Sequence, residues 1–236
     1  MRLLLISNST NPGEEYLGYP GEEIRKFLGG QKVKALFIPY AAVTFSYDEY
    51  EQRVAERFNE LGHEIESVHH FSDPVSAVEN AKVIVVGGGN TWKLVKMIRE
   101  HNLIGAVRQR VAAGIPYIGW SAGANVACPT IKTTNDMPIV EPGSFEAFNL
   151  IPFQINPHYT DMNLPGHAGE TREQRITEFV AANPGVLVAG LREGTMLLVE
   201  GDRLKLVGNR PLRIFGGNQQ PAELGPSDDI SFLLRL

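Results

Sequence analysis

A chain of 236 residues, 43% hydrophobic and 21% charged, can bury a sizeable core as one domain spanning 1–236, which sets aside disordered and fibrous classes. Its 22 basic and 27 acidic residues give a formal net charge of -5 with no basic run, so electrostatics make no case for nucleic acid or an anionic membrane as partner. Cys128 is the single cysteine, no Cys and His ladder has structural-zinc spacing, and Leu3 to Ile6 is too short an apolar run for a signal peptide; a cytoplasmic protein is expected.

Buried parallel strands are predicted at Leu3 to Ile6, Ala35 to Ile38, Val83 to Val86 and Tyr117 to Ile118, where short apolar runs stand between helical or turn-rich segments. Between them, the capping box Ser46-Tyr47-Asp48-Glu49 opens a helix over Tyr47 to Leu61 that Gly62 stops. Asp73-Pro74 reads as an N-cap with a first-turn proline, and helices are expected over Thr91 to Glu100 and Gly105 to Ala113. Thr171-Arg172-Glu173-Gln174 is a second capping box. After residue 185 the pattern changes: Val186 to Ala189 reads as a strand, Thr195 to Glu200 and Arg203 to Val207 form a hairpin about Gly201-Asp202, and Arg213 to Phe215 adds an antiparallel strand. The fold expected is α/β, a doubly wound, mostly parallel sheet with helices on both faces and an antiparallel C-terminal hairpin; the architecture resembles that of class I glutamine amidotransferases, which carry cysteine where this chain has Ser121.

The sharpest local signal is Ile115 to Ala124, a buried strand running through Gly119-Trp120-Ser121-Ala122-Gly123 into a helix. Small residues on both sides of Ser121 let the chain turn sharply while the hydroxyl projects into a cleft, as a nucleophile elbow requires. The alternative is a serine that merely caps the helix. A second strand, Val83 to Val86, ends in Gly87-Gly88-Gly89-Asn90-Thr91, whose amides can point at an anion. Amides from Gly88 or Gly89, with that of Ala122, would make an oxyanion hole, the helix N-terminus adding its dipole. A phosphate cradle is the competing reading, but the Lys-Ser/Thr ending of a Walker A motif is missing.

A serine nucleophile needs a base and an orienting acid. Among six histidines, His63, His69 and His70 fall in or near a polar helix-to-strand connection, His101 ends a helix and His167 lies in a Gly-flanked loop. His158, restrained by Pro157 at the end of Gln154 to Tyr159, is the best base by elimination. For the acid, Glu193 just past a predicted strand is preferred, with Asp136, in a polar loop, as a nearby contributor or competitor.

Taken together, Ser7-Asn8-Ser9-Thr10, Gly87 to Thr91, Gly119 to Ala124, Cys128-Pro129-Thr130, Thr133 to Val140, Gln154 to His158 and Gly169 to Arg175 make the chain closely resemble, almost end to end, the peptidase E family of aspartyl dipeptidases, serine peptidases related to cyanophycinases. The resemblance implies hydrolysis of dipeptides with an N-terminal aspartate, no metal or other cofactor, and a triad on Ser121, His158 and Glu193; the aspartate matching Asp136 has also been regarded as catalytic in the family. Such a substrate presents a carboxylate beside an ammonium, so Arg172 is the candidate for the side-chain carboxylate and Glu170 for the amine, with Asn90 also assigned to substrate. The partners expected are small Asp-Xaa peptides, and a homodimer is compatible with the reading.

Three other classes compete. An α/β-hydrolase esterase orders its triad Ser, acid, His, yet only Asp136 lies between Ser121 and His158. A cyanophycinase-like isopeptidase would keep the triad and change the pocket. A nucleotide-binding or regulatory module would use the Gly87 to Asn90 loop without covalent chemistry at Ser121.

Overall fold

Aliphatic runs that are covered on both faces form the centre of the molecule. The computed structural model describes residues 1–162, 166, 168–216 and 219–235. Its first half alternates β1 (Arg2–Ile6), α1 (Gly21–Leu28), β2 (Lys34–Ile38), α2 (Tyr47–Glu60), β3 (Glu64–Ser67), α3 (Pro74–Asn80), β4 (Ile84–Val86), α4 (Thr91–Glu100), α5 (Leu103–Ala112), β5 (Tyr117–Trp120) and α6 (Ala122–Asn125). The second half holds β6 (Gln154–Tyr159), α7 (Arg172–Ala182), β7 (Val188–Arg192), β8 (Met196–Glu200), β9 (Arg203–Val207), β10 (Leu212–Gly216) and β11 (Gln219–Leu224).

Seven strands form one sheet in the order β3-β2-β4-β5-β1-β8-β9. The first five are parallel, and the β8–β9 hairpin is added antiparallel to β1 with Ile6 opposite Met196. Side chains alternate between the two faces, as strand geometry demands. Leu3, Leu5, Ile38, Ile84 and Val86 join one core with α3, α4, α5 and α6; Leu4, Ile6, Phe37, Val85 and Ile118 join another with α1 and α2. The capping boxes at Ser46/Glu49 and Thr171/Gln174 are both formed, and Asp73 caps α3 ahead of Pro74.

The strand runs around Val186 and Arg213 do not extend this sheet. They belong to a second sheet of four strands, β11-β10-β7-β6, in which β6 and β7 are parallel and β10 is antiparallel to β7. Ile155, Ala189, Leu191, Leu212 and Ile214 pack from it into the same core as Leu3 and Val86. Apolar periodicity shows that a segment is a buried strand without showing which neighbour it will pair with, so one continuous sheet was the expectation and two sheets are the result. The short elements α1, β3 and β11 were not anticipated either, and α5 begins at Leu103 behind Asn102, which takes a left-handed conformation at φ 56°. Among the described residues, no helix is long and apolar enough to cross a membrane.

Candidate active site

At the carboxyl ends of parallel strands, backbone amides and side chains can face a common crevice where the strand order reverses. Ser7 follows β1, the Gly87 to Asn90 loop follows β4 and Ser121 follows β5, all at this edge. Ser121 adopts φ 53° and ψ -112°, a conformation costly for a residue with a side chain. Its flanking glycines are required by packing. A Cβ on Gly119 would stand 2.3 Å from the carbonyl oxygen of Gly123, and one on Gly123 2.1 Å from that of Val86. The elbow is thus pressed against β4, and Ser121 N–H donates to the Ile6 carbonyl at 3.0 Å.

His158 reaches this serine from the other sheet. Between Asn156, paired with Gly190, and Tyr159, paired with Arg192, β6 carries one residue more than β7. The bulge places His158 at φ 53° and re-aims its ring across the crevice. Its Nε2 lies 2.8 Å from Ser121 Oγ and its Nδ1 2.7 Å from Glu193 Oε1. Glu193 stands one residue beyond β7, just past the strand that the sequence predicts around Val186 to Ala189.

Asp136 occupies a different place. Its Oδ2 accepts from the Thr91 N–H at 2.7 Å and the Thr91 hydroxyl at 2.6 Å, while Trp92 Nε1 donates to its carbonyl at 3.0 Å. It therefore holds the start of α4 and the glycine loop before it, and none of its hydrogen bonds goes to His158. Asn90 is similarly engaged: its side chain caps α4 by accepting from Lys93 N–H at 3.0 Å and donates to the Met137 carbonyl at 3.0 Å. These two bonds fix the side chain of Asn90 and leave one N–H and one oxygen lone pair of its amide for a further partner.

Gly88 is the loop residue nearest the nucleophile, since a Cβ there would stand 3.0 Å from Ser121 Cβ. Gly89 has φ 130° and faces the Ala41 carbonyl, 2.4 Å from where a Cβ would sit. Among the described residues the N–H groups of Gly88, Gly89 and Ala122 donate to no backbone carbonyl. The helix after Ser121 runs only from Ala122 to Asn125, so the dipole expected there shrinks to single N–H groups; a macrodipole needs several aligned turns. Tyr50 fixes the loop from below by donating its hydroxyl to the Gly88 carbonyl at 2.9 Å, and burial pushes this hydroxyl up to about 12, leaving it a permanent donor.

Arg172 begins α7, and no hydrogen bond or ion pair with another described residue occupies its guanidinium. Desolvation of this half-buried cation and the neighbouring Arg175 charge lower its pKa. Arg192 is the contrast: its fork grips Glu223 at 2.8 Å through both terminal nitrogens and also meets Asp161. Glu170 pairs with Arg175 at 3.6 Å across an exposed surface, so it is tied to α7 itself. A cleft of about 280 Å³ lined by Thr160, Asp161, Thr171, Glu173 and Gln174 lies between the end of β6 and the start of α7. Of the competing histidines, His63 is buried, His69 and His70 pair with carboxylates, and His101 stacks on Tyr40; His167 lies outside the described residues. Cys128 is fully buried, its thiol accepts from Ile155 N–H at 3.1 Å, and burial pushes its pKa up to about 12, so it is a packing residue.

Ser7 and Asn8 received no role from sequence, yet they join the two sheets. Ser7 Oγ donates to the Leu191 carbonyl at 2.8 Å and accepts from His158 N–H at 3.0 Å. Asn8 Oδ1 accepts from Gly194 N–H at 2.9 Å and from the Tyr19 hydroxyl at 2.8 Å, steadying the turn that carries Glu193. Burial keeps that Tyr19 hydroxyl well above the usual tyrosine range, and the nearby Glu193 charge pushes the same way. Asn135 adds a third brace, donating to the Pro157 carbonyl at 2.6 Å. In the sequence they stand only within the Ser7 to Thr10 and Thr133 to Val140 motifs, which state no role for them.

A serine hydroxyl, an imidazole and a carboxylate in hydrogen-bonded series, beside unpaired backbone amides, is the constellation of an acyl-transfer hydrolase. Comparison narrows the class. Residues 3–207 match the model of Peptidase family S51. Relatives named Peptidase E share 51% identity over 233 residues in Nostoc sp., covering 99% of this chain and 96% of the relative, and 46% over 231 residues in Shewanella denitrificans, covering 98% of each. A third from Salmonella newport shares 47% over 224 residues, with 95% of this chain and 97% of the relative covered. In fold, the chain is similar to the crystal structure of a peptidase from an acI-B1 Actinobacterium, with a TM-score of 0.73 at 22% identity over 98% of this chain and 96% of that one. It is also similar to a putative peptidase E protein from Listeria monocytogenes, with a TM-score of 0.64 at 22% identity over 88% of this chain and 98% of that one. The protein belongs to peptidase family S51.

Proposed function

We propose that residues 1–236 act as one catalytic unit, a cytoplasmic serine dipeptidase that hydrolyses dipeptides with an N-terminal aspartate. The observation carrying this reading is the continuous hydrogen-bonded series from Ser121 Oγ through the His158 ring to Glu193, at 2.8 Å and 2.7 Å. In the proposed reaction Ser121 Oγ attacks the peptide carbonyl carbon as its proton passes to His158 Nε2. The developing oxyanion is met by the N–H groups of Gly88 and Ala122, with Gly89 beside them. His158 then hands the proton to the leaving amine, an acyl-enzyme remains on Ser121, and water activated by His158 releases the aspartate. Glu193 accepts a hydrogen bond from the Nδ1–H and stays ionised, holding the ring in one tautomer and stabilising the imidazolium that forms when Nε2 takes the serine proton.

For specificity, a half-buried guanidinium that no described residue pairs matches a side-chain carboxylate on the substrate, and Arg172 supplies one. Glu170 remains the proposed partner of the substrate amine only if it leaves Arg175 when substrate arrives. A serine-directed phosphonate probe with mass mapping, followed by a panel of α-Asp dipeptides, β-Asp-Arg and non-acidic dipeptides, tests the reading. Modification at Ser121 and turnover of α-Asp substrates are expected. Labelling elsewhere rejects the mechanism, and a preference for β-Asp-Arg makes the protein an isopeptidase. Arg172→Ala should raise KM for Asp-Xaa by roughly 10- to 100-fold, with Arg172→Lys a poor rescue because an ammonium lacks the fork.

A further inference from the structure

At the β3 edge of the seven-stranded sheet, three strand spacings or about 14 Å from β5, four side chains able to ligate a metal converge. Asp48 and Glu51 stand three residues apart in the first turns of α2, and His69 and His70 lie in the short 3-10 turn Val68–His70 after β3. One ligand atom from each lies within 4.8 Å of every other. His70 Nε2 is 2.5 Å from Glu51 Oε2 and 3.8 Å from Asp48 Oδ1, and His69 Nε2 is 3.0 Å from the same Asp48 oxygen. A tetrahedral shell with bonds of 2.0–2.2 Å sets its ligand atoms about 3.5 Å apart. Small side-chain rotations therefore separate the present arrangement from a complete shell.

We propose that Asp48, Glu51, His69 and His70 form a binding site for a zinc-class divalent cation, separate from the hydrolytic centre. The surrounding groups aim the ligands. Ser67 N–H donates to Glu51 Oε1 at 2.7 Å, leaving Oε2 for the metal. Ser67 Oγ stands 2.5 Å from His69 Nδ1, where it can accept a hydrogen bond from the Nδ1–H once Nε2 carries the cation, the usual support of a ligating imidazole. Glu51 and His69 are only 18% and 17% exposed, so two ligands are held before any ion arrives, while Asp48, 77% exposed, offers the entry. Two carboxylates and two neutral imidazoles balance a dipositive charge, and the mixed oxygen and nitrogen set suits zinc or cobalt over calcium. No spacing in the sequence announces this site, because its halves come from a helix and from the turn after a strand.

The test uses the full chain after chelator treatment and dialysis. Calorimetric titration with Zn²⁺ should give one ion per chain, Co²⁺ should develop the visible absorption of a tetrahedral centre, and saturating Zn²⁺ should raise Tm, since binding favours the folded state. His70→Gln and Asp48→Asn, both at exposed positions, should each weaken binding at least tenfold while dipeptidase turnover stays intact and reports a folded protein. Ser121→Ala should bind Zn²⁺ as the wild type does. No binding by the wild type, unchanged affinity in both variants, or loss of binding in His158→Gln instead would overturn the proposal.

Discussion

The two sheets divide the candidate catalytic centre between them, and they do so by different physics. The seven-stranded sheet carries Ser121 and the proposed oxyanion amides at positions set by close packing within that sheet: a Cβ on Gly119 or Gly123 would stand 2.3 Å or 2.1 Å from a backbone carbonyl oxygen, and any side chain there would push Ser121 out of place. The four-stranded sheet supplies His158 and Glu193 through a bulge and a strand end, and their positions depend on remote braces from Ser7, Asn8 and Asn135. One half of the site is held by backbone packed within its own sheet. The other is held in place from across the molecule, so it should be the more easily misaligned by mutations that touch no reacting atom.

The sharpest way to break this comparison is to delete the nucleophile. Ser121→Ala should lower kcat by roughly 10⁴-fold or more without changing Tm appreciably, because only a hydroxyl is lost and the elbow backbone stays; a variant with near-normal turnover would remove the serine mechanism. Next comes a contrast between the two carboxylates. Glu193→Gln should reduce kcat by roughly 10²- to 10⁴-fold with little change in KM, whereas Asp136→Asn should cost about tenfold, acting through Thr91 and the glycine loop. If the order of these two effects is reversed, the orienting acid belongs to Asp136 and the observed contact to Glu193 is incidental.

Ser7→Ala probes the bridge between the sheets. It leaves the Leu191 carbonyl and His158 N–H without their shared partner, which should cost about 1–3 kcal/mol in stability and lower kcat while serine labelling survives more weakly. Thermal denaturation and labelling kinetics read the two consequences separately. The smallest effect concerns His63, which is buried with neither ring nitrogen hydrogen-bonded to a described residue and whose pKa is lowered first by desolvation and then by Arg25. The folded state disfavours its proton, so its contribution to stability is present above the unfolded value near 6.5 and is lost as pH falls through the folded one. His63→Gln should flatten the decline of Tm on the acid side; an unchanged slope would assign that decline to other groups.

Much of the first sheet was legible residue by residue. Short apolar runs, two capping boxes and the Gly201-Asp202 hairpin each state their structure within a few positions, because helix caps and tight turns are satisfied by near neighbours in the chain. The Gly119 to Gly123 elbow was legible for the same reason. The role of Asp136 was not, since a polar loop residue declares its charge but not the helix start it will cap, and Thr91 lies 45 residues earlier. Asn90 shows the converse: a residue in a promising loop whose amide also caps α4 and donates to the Met137 carbonyl.

Residue type and near-neighbour order were sufficient to define a buried α/β scaffold with a strained serine turn and a family likeness running nearly end to end, because these depend on sterics and hydrogen bonds within a few residues. The partition into two sheets, the meeting of Ser121 with His158 and Glu193, and the gathering of Asp48 and Glu51 with His69 and His70 were decided only on folding. Each joins segments whose attraction is non-directional burial until packing selects a partner, and no local pattern records that choice.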